Sequence, residues 1–78
     1  MLLTIDINPA QEGEKAIGEI VDIPGVEEID QEQKNSWTVT IEDELAEDIL
    51  EDIQGVLQGF TYEAYDREDG KVLARDIQ

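Results

Sequence analysis

The chain has 78 residues, 21 Asp and Glu against 5 Lys and Arg, a formal net charge of −16, and neither cysteine nor histidine. Without thiol or imidazole it has no disulfide, no iron–sulfur cluster and no cysteine zinc site. Five scattered cations form no basic patch, which excludes phosphate-backbone binding and attraction to anionic membranes.

The apolar residues make up 40% of the chain and fall in regular phase, the mark of a folded rather than a disordered acidic chain. Leu3, Ile5 and Ile7 alternate with Leu2, Thr4 and Asp6, a period of two that predicts a half-buried strand. The run is too short, and lacks the basic lead, for a signal peptide, so a cytoplasmic location is expected. No apolar run approaches the roughly 18 residues of a membrane span.

Asn8 is placed to cap a helix, with Pro9 at its first position and Gln11 at its third. At about 100° per residue, Ile17, Ile20 and Val21 share an arc with Ala10, Gly13 and Ala16, while Glu12, Lys15, Glu19 and Asp22 lie outside it. The pattern predicts an amphipathic helix of about 14 residues that ends by Ile23, because Pro24 disfavours helical geometry in the residue before it.

Pro24-Gly25 turns the chain, and residues 26–32 read as a second strand anchored by Val26 and Ile29. A polar turn over residues 33–36 leads to Trp37, Val39 and Ile41 alternating with Thr38 and Thr40, the strongest strand signal in the chain. Asp43 is placed to cap a second helix. Its apolar stripe is Leu45, Ala46, Ile49, Leu50, Ile53, Val56 and Leu57, and Glu44, Glu47, Asp48, Glu51 and Asp52 lie on the other side. Gly59 is a natural stop.

Phe60, Tyr62 and Ala64 open a further strand, and Asp69-Gly70 signals a hairpin into a fifth strand over residues 72–77. A four-residue turn over 67–70 pairs Tyr62 with Arg75 and Ala64 with Leu73, whereas a two-residue turn sets Glu63 against Asp76. Like charges directly opposite are unfavourable, so the longer turn is expected.

The order β-α-β-β-α-β predicts an α+β, ferredoxin-like sandwich: two helices on one face of an antiparallel sheet, with the fifth strand added, in a single domain over residues 1–78. Its expected core is Leu3, Ile5, Ile7, Ile17, Ile20, Trp37, Val39, Ile41, Ile49, Ile53 and Phe60.

This pattern resembles the heavy-metal-associated domain, the small copper-chaperone module, over roughly residues 2–65. Leu3-Thr4-Ile5-Asp6-Ile7 matches the first strand of that family, Ile23-Pro24-Gly25-Val26 its turn after the first helix, and Gly59-Phe60-Thr61-Tyr62-Glu63-Ala64 its last strand. The resemblance implies the fold. The family holds soft metal through two cysteines in the loop after the first strand, which here falls on residues 8–11 and has no thiolate. The expectation is therefore no metal site and no cofactor. Residues 66–70 lack the alternating carboxylates of a calcium loop and read as a plain turn.

No base–nucleophile pair or glycine-rich phosphate loop is present, so no catalytic residue and no enzyme activity is expected. The leading expectation is a small acidic scaffold, monomeric, designed or redesigned on this backbone and without evolved activity. The alternative is an acidic protein-interaction module. Carboxylates one turn apart on the second helix lie about 6 Å from each other, near the spacing of phosphates, so Glu44, Glu47, Asp48, Glu51 and Asp52 form a candidate face for a basic partner. A domain adapted to high salt is a third reading; ten isoleucines, and three lysines to two arginines, weigh against it. In each case added salt should relieve the crowding of carboxylates.

Overall fold

The structure is a computed structural model that describes residues 1–8 and 10–76, without the side chains of Ala10 and Gln11. The elements are β1 (Leu2–Asn8), α1 (Ala10–Ile20), β2 (Val26–Gln33), β3 (Ser36–Ile41), a 3-10 turn (Asp43–Leu45), α2 (Ala46–Val56), β4 (Thr61–Asp66) and β5 (Val72–Asp76). The sheet order is β2-β3-β1-β4-β5, with every neighbouring pair antiparallel. With both helices packed on one face, this is the ferredoxin-like α+β sandwich that the pattern predicts, extended by β5.

Alternation decides the faces. Leu3, Ile5 and Ile7 of β1 lie beside Trp37 and Val39 of β3 and beside Tyr62 and Ala64 of β4. All are buried, together with Ala16 and Ile20 of α1, Ile49 and Ile53 of α2, Ile41 and Leu57. Ile17 and Phe60, expected in the core, pack against it but are only partly buried. Ile17 lies at the rim of the α1 stripe, and Phe60 sits in the turn ahead of β4.

Helix α1 is shorter than the stripe predicts. After Val21 N donates to Ile17 O, Asp22 N and Ile23 N bond to carbonyls three residues back, which tightens the last turn ahead of Pro24. Val21 is thereby turned outward and is 51% exposed. The proposed cap at Asn8-Pro9 involves Pro9, which lies outside the described residues.

Asp43 does not cap α2. It opens the 3-10 turn, and its carboxylate lies 2.6 Å from the Met1 amino nitrogen. The cap position of α2 is Leu45, which has no side chain that can accept a bond. Helix α2 ends at Val56, and Gly59 follows with φ +91°, a left-handed residue just past the helix as the sequence signal implies.

The β4–β5 hairpin departs from the expected register. Tyr65 pairs with Val72, as a four-residue turn requires, but a bulge then shifts the rest by one residue. Ala64 faces Ala74, Glu63 faces Arg75 and Tyr62 faces Asp76. The bulge brings opposite charges together at Glu63 and Arg75, better than either simple register offers. In the turn, the Asp66 and Asp69 carboxylates each accept a backbone N–H two residues on, from Glu68 and Lys71, both at 2.8 Å.

Two stability predictions follow from this packing. Ile53 is fully buried between α2 and the sheet, so Ile53→Ala should lower unfolding free energy in urea by about 2–5 kcal/mol. Three helical glycines should behave in opposite ways. A Cβ on Gly13 would lie 2.8 Å from Trp37 Cη2 and 3.2 Å from Ile7 Cβ, whereas one on Gly18 or Gly55 meets nothing within 4 Å. Gly18→Ala and Gly55→Ala should each add about 0.5–1 kcal/mol, and Gly13→Ala should destabilise. Thermal melts of the three variants check the sign.

Candidate functional site

Helix α2 turns its apolar side inward at Ile49 and Ile53, with Ala46, Leu50 and Val56 half-buried. That orientation puts Glu47, Asp48, Glu51 and Asp52 on the surface, and Glu44 in the preceding 3-10 turn is exposed as well. Four of the five thus lie on α2 itself. Glu47 and Asp48 lie in the first turn, where the partial positive charge of the helix end favours them. Glu51 and Asp52 lie further along and lack that compensation. The like-charged pairs Glu47–Glu51 and Asp48–Asp52 each weaken an isolated helix by a few tenths of a kcal/mol. Among the described residues, the ion pairs are Met1 amino–Asp43 and Arg67–Glu32, and neither touches this face.

The second region is the sheet face turned away from the helices. In register, Thr4 lies between Thr38 of β3 and Tyr65 of β4. Thr4 and Thr38 are buried, although no helix covers that side. Arg67 lies over this region. Its backbone N–H donates to Leu2 O at 3.1 Å, and its guanidinium reaches Thr38 Oγ1 at 2.7 Å and also the Glu32 carboxylate. The Thr38 hydroxyl, and then the Arg67 guanidinium, hold the Glu32 carboxyl below its ordinary value. One side chain from the β4–β5 turn thus ties together β3 and the edge strand β2. Sequence reading missed this contact. By sequence Arg67 is only a turn residue, and nothing in its spacing points to a partner 35 positions away.

The third region is a shallow open depression of about 260 Å³ at one end of the sheet, lined by Asp6, Ile7, Asn8, Asn35, Thr61, Tyr62 and Glu63. Asp6 and Glu63 are direct cross-strand neighbours there, and Arg75 flanks Glu63 on its other side. Asn35 Nδ2 lies 3.5 Å from Asn8 Oδ1. The Tyr62 phenol is pushed up from its ordinary value by burial, and further by Asp76 opposite it. These groups can hydrogen-bond a small polar molecule. Among the described residues, no group of three or more Asp or Glu is arranged to hold a metal ion, and no helix is long and apolar enough to cross a membrane.

Comparison with family models, with curated proteins and with solved structures gives no match to this chain.

The Arg67–Glu32 contact predicts a pH dependence. Glu32 titrates below its unfolded value, so its contribution is present at neutral pH and is lost as pH falls through the folded-state value. Glu32→Gln should flatten part of the fall in stability between about pH 5 and pH 3, while Glu51→Gln on the α2 face serves as a control. Urea unfolding across that range measures it. Identical acid limbs for Glu32→Gln and the parent chain would show that the contact contributes nothing in solution.

Proposed function

We propose that this chain is a non-enzymatic acidic α+β scaffold that acts through its surface, binding a basic protein along the outer face of α2. The observation that carries the reading is the orientation of that helix. Ile49 and Ile53 are buried in the core, and Glu47, Asp48, Glu51 and Asp52, with Glu44 in the turn before the helix, are exposed with no cation of the chain within ion-pair distance among the described residues. A row of carboxylates spaced like phosphates offers a basic groove the charges it meets on nucleic acid. A cytoplasmic location fits such a role.

A second reading is a sequence designed or redesigned for the fold alone, on a backbone like that of the heavy-metal-associated domains and without their metal chemistry. It draws support from local consistency. Among the described residues, every buried side-chain polar atom has a partner, and every positive φ is held by glycine. Functional sites are where such consistency tends to break.

One titration separates the two. A basic DNA-binding domain serves as the probe, at low salt and at about 0.5 M salt, where screening shortens the reach of exposed charges. The α2 variant carries Glu44→Gln, Glu47→Gln, Asp48→Asn, Glu51→Gln and Asp52→Asn. A control neutralises Glu12, Glu14, Glu19, Asp22 and Glu68, which are also exposed. The interaction reading expects salt-sensitive binding that the α2 variant loses and the control keeps. Equal losses would mean diffuse attraction to the net charge, and the scaffold without a partner would stand.

A further inference from the structure

The sheet order leaves two open edges, β2 and β5, and they differ in kind. Strand β5 is five residues long, pairs with β4 across a bulge, and carries Arg75 beside Asp76. The bulge leaves only residues 74–76 in regular pairing, too short a run for a further strand, and the edge carries both signs of charge. Strand β2 is eight residues long and contains Glu27, Glu28, Asp30 and Glu32 with no cation. Its pairing with β3 shifts at each end, but residues 28–31 run regularly beside Thr40, Val39, Thr38 and Trp37.

That register fixes the side chains. Glu28 and Asp30 lie beside Thr40 and Thr38, on the face away from the helices, about 7 Å apart along the strand. Ile29 lies beside Val39 on the helix side, and both Ile29 and Val26 are left half-buried. The outer edge therefore presents unpaired backbone groups, flanked by carboxylates on one side and a partly exposed apolar margin on the other. The chain itself shows what the carboxylate side accepts: the Arg67 guanidinium rests on Glu32. Glu28 and Asp30, next along the row, have no cation within ion-pair distance among the described residues.

We propose that the outer edge of β2 takes up an extended basic peptide as a sixth strand. Lysine or arginine at alternate positions lies over Glu28 and Asp30, and the apolar residues between them cover Ile29 and Val26. Main-chain hydrogen bonds supply the affinity and the alternation supplies the selectivity. A second copy of the chain is a poor occupant, because β2 against β2 sets carboxylates opposite carboxylates on two molecules that each carry −16. The β5 edge of a second copy offers Arg75 with Asp76 next to it, and a bulge.

The test uses a labelled peptide alternating lysine and valine and a second peptide of the same composition with the residues in two blocks, both titrated into the intact chain near 0.1 M salt. The alternating peptide should bind about tenfold more tightly than the block peptide, with new amide-exchange protection confined to β2. Glu28→Gln with Asp30→Asn, which keeps side-chain size, should weaken it about tenfold, and Glu28→Lys with Asp30→Lys should abolish it. The chain neutralised along α2 should bind it like the parent, so this proposal and the α2 reading fail separately. Equal affinity for the two peptides, protection appearing on β5 or α2, or a mass showing two copies of the chain and no peptide would each overturn it.

Discussion

Strand β1 lies at the centre of the sheet, and its alternation fixes which side of every other strand meets the helices. Leu3, Ile5 and Ile7 are at most 1% exposed, and each is matched in register by a buried residue on β3 or β4. Full burial of such side chains is worth roughly 1.5–3 kcal/mol each, an upper estimate because unfolded chains already bury some surface. A slip of one residue on β1 would bring Leu2, Thr4 and Asp6 to the helix side, so the register is strongly held. Trp37 closes one end of this layer, and Gly13 lets α1 approach it: a methyl group there would overlap the indole ring.

Charge is then arranged by exclusion. The buried apolar residues occupy one layer between helices and sheet, so 21 carboxylates must share the outer faces of α1 and α2, the turns and the uncovered side of the sheet with five cations. Two of those cations, the arginines, lie where strands meet. Arg75 faces Glu63, and Arg67 joins β3 to the edge strand through Thr38 and Glu32. The α2 face and the middle of the β2 edge are left uncompensated. Repulsion there weakens the folded state, and the same repulsion discourages self-association at the open edge.

What was legible in the sequence is what depends on period. Alternation located β1 and β3, and the helical stripe of α2 placed Ile49 and Ile53 in the core and left Glu47, Asp48, Glu51 and Asp52 exposed. Features that depend on competition between neighbours were not legible. Val21 belongs to the α1 stripe by angle, but the tight turn into Pro24 takes it out of the core. Asp43 is a good cap by type, yet its carboxylate meets the Met1 amino group instead. In the β4–β5 hairpin charge selects the pairing, but a bulge brings Glu63 to Arg75 by a route that no single-register comparison contains. The Arg67 contact is purely tertiary.

The two uncompensated surfaces differ in what they ask of a partner. The α2 face is a convex helix surface whose own backbone groups are bonded within the helix, so it offers charge alone and depends on long-range, salt-sensitive attraction. The β2 edge offers charge together with unpaired main-chain groups and a half-buried apolar margin at Val26 and Ile29. Attraction without geometry is tolerant of sequence, whereas strand addition requires an extended backbone and alternation matched to the pleat. A basic protein could thus be drawn to either surface, but only the edge can distinguish one basic sequence from another of equal charge. If this chain discriminates among basic partners at all, the physical means of discrimination lie along residues 28–31.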